Sequence, residues 1–287
     1  MVSDERVRYD VEDGVATITF DRPEKLNAIT FAMRDEFVAR LDESRADPRA
    51  HVVVVKGNGR AFTAGVDIDD RPDLQDPSAN TMHDDMAEIS RAADQWMHIW
   101  TLPKPVVVKA HGHCVGWGLE IALHADMVLA SHDCTFFFPS VRNGAGLPDS
   151  TMAIYQLGVQ WAKRLLLTGD AIDGLTAARI GLVVESFPES ELDDAVDSLA
   201  RRMATLPPEL LAQSKSVINR SVELMGRAQL QSFGVEANAT ARQSPGVAEW
   251  SRVLREKGLH EAIRWRDERA ASTSLANDKA TDHGRDL

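Results

Sequence analysis

Cysteine is scarce in this sequence, which contains only Cys114 and Cys134 among its 287 residues. Two cysteines at this separation form neither the paired ligands of a zinc site nor a disulfide framework. We therefore predict no metal site, and we expect the reducing environment of the cytoplasm for this chain.

Long hydrophobic runs and an excess of basic residues are also absent from the sequence. No apolar run approaches the ~18 residues that a membrane-spanning helix needs, and residues 1–13 are too acidic and polar for a signal peptide. The formal net charge is −12, whereas duplex binding needs a basic face. We therefore expect neither a membrane nor nucleic acid as a partner, although a few local cations can still hold an anionic ligand.

The chain does contain the ordinary composition of a globular protein, with 44% hydrophobic and 26% charged residues. Hydrophobic patterning predicts strands at residues 7–9, 15–20, 52–56, 106–108, 127–130 and 183–187. It predicts helices at residues 82–102, 157–167, 175–180 and 192–204. In a further helix, capped by Thr30, we expect Met33 and Phe37 on the apolar stripe and Arg34 on the opposite, polar face.

The pattern changes near Pro207, beyond which no strand is predicted. Helices are expected at residues 210–225, 229–240 and 247–269. We therefore predict an α/β core over residues 1–206, a helical region over residues 207–269 and a disordered tail over residues 270–287. The acidic segment 69–80 is predicted to be a mobile surface loop.

Residues 104–148 contain the stretch with the strongest chemical signal. A short apolar strand is followed by glycines 112, 116 and 118, then by an apolar helical segment that contains Glu120, then by a second strand. The start of a helix after a glycine turn offers free N–H groups to a negatively charged oxygen. A carboxylate one turn later can move protons beside that oxygen, and Glu120 has no polar helix face to occupy instead.

Four motifs together identify a resemblance to the crotonase superfamily of enoyl-CoA hydratases and isomerases. They are the segments 22–28, 61–68, 116–126 and 166–183, and the resemblance covers about residues 7–269. It implies a spiral of repeated ββα units followed by C-terminal helices used in oligomerisation. It also implies a homotrimer, or a hexamer built as a dimer of trimers.

The resemblance implies an acyl-CoA substrate and no cofactor beyond its coenzyme A moiety. The thioester oxygen would lie between the backbone N–H groups of Val66 and Trp117, which would stabilise an enolate. Arg22 and Lys25 are candidates for the phosphates, with a solvated loop charge as the alternative for each. The implied substrate-binding residues also include Ala64, Gly65, Asp67, Ile68 and Gly116.

The sequence departs from the family pattern at the second catalytic position. Family hydratases use two glutamates; Glu120 matches the first, but the second position is occupied by Ser140. Asp149 stands where some members carry a catalytic aspartate, and its alternative role is a helix cap or first-turn acid. We predict an enoyl-CoA hydratase-like lyase with Glu120 as the acid/base, and that the native protein hydrates simple enoyl-CoAs poorly.

Three alternatives remain open at the level of the sequence. A double-bond isomerase or a β-keto or thioester hydrolase of the same superfamily would need one base, either Glu120 or Asp149. A non-catalytic binding member would need none. A nucleotide-binding oxidoreductase is disfavoured because the glycine loop lacks the third glycine of G-x-G-x-x-G and no suitable acid follows a second strand.

Overall fold

A computed structural model describes residues 6–71, 80–143 and 146–271. Within these residues the main sheet has six strands: β1 (Val7–Glu12), β2 (Val15–Phe20), β3 (Val52–Gly57), β4 (Val106–Ala110), β6 (Met127–Ser131) and β8 (Glu185–Phe187). They lie side by side in the order β1-β2-β3-β4-β6-β8. The β1–β2 hairpin is antiparallel and the other neighbours are parallel. The strands β5 (His113–Val115) and β7 (Thr135–Phe137) form a second, parallel pair.

Helices connect the parallel strands and continue beyond the last of them. They are α1 (Phe31–Ala46), α2 (Met82–Thr101), α3 (Trp117–His124), α4 (Ser140–Asn143), α5 (Ala153–Thr168), α6 (Gly174–Ile180), α7 (Glu189–Ala204), α8 (Pro208–Leu224), α9 (Arg227–Arg242) and α10 (Pro245–Ala271). The repeated strand pairs and crossover helices, followed by an all-helical region, confirm the fold class predicted from the sequence.

Both faces of the main sheet are covered, which explains its continuous runs of valine. In β3, Val53 and Val55 point into the main core, whereas Val52 and Val54 pack against Leu192 and neighbouring residues of α7. The first helix begins at the predicted cap, where the Thr30 side chain accepts a hydrogen bond from the N–H of Met33. Among the described helices, none is long and apolar enough to cross a membrane.

Arg34 is a correction to the sequence interpretation, because it is fully buried rather than on a polar helix face. Its Nη1 donates to Oε1 of Glu88 at 2.8 Å. Its guanidinium carbon also lies 4.9 Å from the ring centroid of Phe31 and 4.8 Å from that of Trp117. A buried guanidinium is tolerated here because an anion and two aromatic faces replace its water.

The C-terminal helices are packed onto the α/β region rather than separated from it. Helix α9 packs along α2, and α10 packs against α4. The proposed boundary at residues 206 and 207 falls between α7 and α8, and the division into domains stays a prediction. The predicted mobile loop lies mostly outside the described residues, as does the predicted tail beyond Ala271.

Candidate functional site

Two glycine turns, at Gly65 and Gly116, pack against each other. Gly65 has φ +89°, and a Cβ placed on it would lie 2.6 Å from the carbonyl oxygen of Val115 and 3.6 Å from Cα of Gly116. A side chain at this position would therefore clash with backbone, and its φ also favours glycine. This contact brings the segment 64–66 against the start of helix α3.

The N–H of Val66 faces away from its neighbouring segment. Ile29 pairs with Val66 in a parallel bridge, in which Ile29 N donates to Gly65 O and Asp67 N donates to Ile29 O. Both bonds on that side are therefore made by the residues flanking Val66, so its own N–H points to the opposite side. Val66 is also one of the residues that line the cavity described below.

The N–H of Trp117 is left free by helix geometry. Trp117 is the first residue of α3, and the first backbone hydrogen bond of this helix runs from Glu120 N to Gly116 O at 3.0 Å. Within residues 6–71, 80–143 and 146–271, no acceptor pairs with the N–H of Trp117 or of Val66. Two unpaired backbone donors therefore flank the contact between the two turns.

A cavity of about 510 Å³ opens at these donors. Its wall comes from the segment 64–69, from the start of α3, from the segment 135–140 and from the C-terminal helices. Trp250 and Ile263 of α10 lie in this wall, so both regions of the chain build the pocket. An apolar cleft with a few polar groups at one end is typical of a small-molecule site.

Asp149 is the acidic residue of the pocket wall that lies beside Trp117. Its Oδ2 accepts a hydrogen bond from the indole Nε1 of Trp117 at 2.8 Å, and Nη2 of Arg242 lies 3.4 Å from its Oδ1. Asp149 therefore lies at the pocket, bonded to the indole of the residue that carries one of the two free N–H groups, and each of its carboxylate oxygens has a neighbouring donor.

Glu120 lies behind this wall and is fully buried. Its Oε1 accepts from the N–H of Ser150 at 3.1 Å, and its Oε2 accepts from the Ser150 hydroxyl at 2.5 Å. Burial, together with the charge of the nearby Asp149, raises the pKa of Glu120 from 4.5 to about 8. The burial of Glu120 fits the sequence interpretation, but Glu120 is not among the residues that line the pocket.

Most of the remaining predicted residues line the pocket, whereas Arg22 holds one of the loops that form it. Ser140 lies in the wall, as do Lys25 and the residues Ala64, Gly65, Asp67, Ile68 and Gly116. Arg22 is not among the lining residues; its Nη1 donates to Asp67 Oδ2 at 2.5 Å and to Ala28 O at 3.1 Å. Arg22 thus braces the loop that carries Asp67, whereas Lys25, which lies 3.8 Å from Asp69, is 55% exposed at the pocket.

The sequence profile of the enoyl-CoA hydratase/isomerase family matches residues 10–244. This chain belongs to the enoyl-CoA hydratase/isomerase family. It is 30% identical over 225 residues to a hydroxycinnamoyl-CoA hydratase-lyase from Pseudomonas fluorescens, covering 76% of this chain and 79% of the relative. It is 28% identical over 239 residues to a 2,3-dehydroadipyl-CoA hydratase from Escherichia coli, covering 82% and 91%.

A solved structure of an enoyl-CoA hydratase from Mycobacterium smegmatis has the same fold. It superposes with a TM-score of 0.86 at 36% sequence identity, covering 92% of this chain and 94% of the other. A second structure, an enoyl-CoA hydratase/isomerase from Xanthobacter autotrophicus, gives a TM-score of 0.87 at 30% identity, covering 92% and 98%. The crotonase resemblance seen in the sequence is confirmed.

Three residues of this crotonase site carried no recognised signal in the sequence. Ser150 holds Glu120, Arg242 faces Asp149, and Arg34 lies over the ring of Trp117. Arg242 is 93 residues from Asp149 in the chain, so no local pattern connects the two.

The raised pKa of Glu120 predicts a pH-dependent effect of Glu120→Gln on stability. The unfolded chain loses this proton near pH 4.5, whereas the folded chain keeps it to about pH 8. The free energy of unfolding of the wild type therefore falls as the pH rises through this window. The total decrease is on the order of a few kcal/mol, at ~1.4 kcal/mol per pKa unit. Glutamine does not titrate, so we expect the variant to gain stability relative to wild type between pH 5 and pH 8 in urea unfolding. A stability difference that stays constant with pH would contradict this assignment.

Proposed function

We propose that this chain adds water to, or removes water from, the acyl part of an enoyl-CoA thioester. Family membership supports an enzyme of the hydratase or lyase type with a coenzyme A thioester as its substrate. One observation carries the proposal. Val66 and Trp117, each with an unpaired backbone N–H, line the same pocket as Asp149.

The two N–H groups serve as the oxyanion hole. As water adds to a conjugated thioester, the electron pair of the double bond moves through Cα onto the thioester oxygen, which becomes an enolate oxygen. Fixed donors stabilise that charge where it develops, and removing one such donor typically costs ~3 kcal/mol. Helix α3 adds the positive end of its dipole at Trp117.

Asp149 serves as the acid/base that contacts the substrate. It takes a proton from water as the water oxygen bonds to Cβ, and it returns a proton to Cα as the thioester carbonyl re-forms. Glu120 lies beneath it, and its pKa of about 8 keeps its carboxyl mostly protonated at neutral pH. A protonated Glu120 therefore limits the negative charge beside Asp149. The assignment of Glu120 as the acid/base, made from the sequence, stays a prediction.

Double-bond isomerisation is the second candidate, and the position of Ser140 favours it. Ser140 lies in the pocket wall where family hydratases carry their second glutamate. Isomerisation needs one base that removes a proton at one carbon and returns it at another, so Asp149 with the same oxyanion hole would suffice.

A panel of enoyl-CoA and β-keto-acyl-CoA thioesters, followed by mass spectrometry in heavy water, tests these functions together. Hydration adds one heavy water to the substrate. Isomerisation leaves the composition unchanged apart from any exchanged deuterium and moves the double bond, which fragmentation locates. Thioester hydrolysis releases a free thiol, whereas hydrolysis of a β-keto C–C bond leaves a shorter acyl-CoA. We expect hydration of at least one enoyl-CoA. Absence of turnover across the panel, with coenzyme A binding intact, would leave a binding protein and overturn the proposal.

Ser140→Glu is expected to increase hydration of crotonyl-CoA by about tenfold or more, because it restores a second carboxylate that can orient water. Ser140 lies in the pocket wall, so the longer side chain can extend into the cavity. The matched variant Ser140→Ala should leave coenzyme A affinity in calorimetry unchanged. Rapid hydration of crotonyl-CoA by the native protein would show instead that the serine already suffices.

A further inference from the structure

Trp117 carries two hydrogen-bond donors at this site, its backbone N–H and its indole N–H. Its backbone N–H is one of the two free donors at the pocket, and the residue is only 5% exposed. Its indole Nε1 donates to Oδ2 of Asp149 at 2.8 Å. One rigid residue therefore contacts both the place where the thioester oxygen would lie and the carboxylate that would move the proton.

The indole ring is held on several sides. Its centroid lies 5.7 Å from that of Trp96 and 5.7 Å from that of Phe31, and the guanidinium of Arg34 lies 4.8 Å from it. Edge contacts and a cation over the ring face favour one orientation of an indole. The ring cannot rotate without displacing these neighbours, so the Nε1–H direction is fixed relative to the backbone.

We propose that the indole of Trp117 is a positioning group that holds the carboxylate of Asp149 in register with the oxyanion hole. This inference rests on the proposed function of Asp149. An indole N–H can only donate a hydrogen bond, so Oδ2 of Asp149 must act as the acceptor. The other carboxylate oxygen, Oδ1, then lies on the side of Arg242. A small displacement of a catalytic group lowers the reaction rate strongly. We therefore expect loss of this hydrogen bond to slow turnover.

Trp117→Phe is the direct kinetic test, and the chain supplies a matched control. Phenylalanine keeps the backbone N–H and most of the ring packing but removes the indole donor. Trp100 of α2 is also buried in the main core, yet it does not line the pocket and, among the described residues, makes no ring contact with Trp117. We expect Trp117→Phe to lower kcat by about 10- to 100-fold with little change in KM, whereas Trp100→Phe stays within about twofold of wild type.

Nuclear magnetic resonance of the indole groups tests the contact without relying on turnover. The chain has 6 tryptophans, and a strong hydrogen bond to a carboxylate moves an indole N–H signal downfield. We expect one signal to move upfield in Asp149→Ala, and the same signal to be missing in Trp117→Phe. If Trp117→Phe does not fold, the Asp149→Ala spectrum alone decides, and unchanged indole signals would overturn the proposal.

The two assignments fail in different ways. If Asp149→Asn is inactive while Trp117→Phe is as active as Trp100→Phe, the positioning role is wrong and the function of Asp149 stands. If Asp149→Asn is fully active, the proposed function of Asp149 is wrong, and the kinetic role of Trp117 falls with it even if the indole signal still moves.

Discussion

Asp149→Asn is expected to lower kcat by ~10² to 10⁴, the usual contribution of a general acid/base, with a small change in KM. Asparagine keeps the shape of the side chain and can still accept the bond from Trp117, so the pocket stays intact while the proton acceptor is lost. Steady-state kinetics on the best substrate of the thioester panel provides the measurement. Asp35→Asn, the same substitution at an exposed residue paired with Arg91, serves as the control.

Comparison of Glu120→Gln with Asp149→Asn tests which of the two carboxylates is the acid/base. Glu120 does not line the pocket and is mostly protonated at neutral pH, so we expect this variant to lose less activity than Asp149→Asn. The opposite ranking, with Glu120→Gln inactive and Asp149→Asn active, would restore the assignment made from the sequence. It would also require the side chain of Glu120 to turn toward the pocket when substrate binds.

The sequence predicted the parts of the site that depend on local backbone chemistry. Gly116 indicated a turn before a helix, and in the structure it lies against Gly65, where a side chain would strike the backbone of Val115. Glu120 was singled out because an apolar helix offers it no solvated face, and it is fully buried.

The parts that local patterns did not predict depend on long-range packing. Which way the carboxyl of Glu120 points is decided by Ser150, 30 residues later. One of the two partners of Asp149, Arg242, comes from the end of α9, 93 residues away, and no local pattern singles it out. Arg34 was assigned to a polar face because helical periodicity cannot register a distant aromatic ring or the carboxylate of Glu88.

The C-terminal helices lead to the second prediction with a large expected effect, which concerns assembly. Five apolar side chains on α8 and α9 are between 63% and 74% exposed in the single chain: Leu210, Val217, Ile218, Leu224 and Phe233. Other large apolar residues of the C-terminal helices, such as Trp250 and Leu254, are buried within the chain and do not contribute. An apolar surface of this kind marks an interface, and closed symmetry is its usual form.

We expect light scattering at micromolar concentration to give three or six times the 31.6 kDa mass of one chain. Val217→Asp should convert this assembly to single chains, because a carboxylate buried at a subunit contact loses its water without gaining a partner. Val217 is 70% exposed in the isolated chain, so the same change should leave the fold of each chain intact. Ala39→Asp, on the exposed side of α1, adds the same charge elsewhere and should not alter the mass. A wild-type mass of one chain would refute the trimer or hexamer, and would leave the apolar surface of α8 and α9 to another partner.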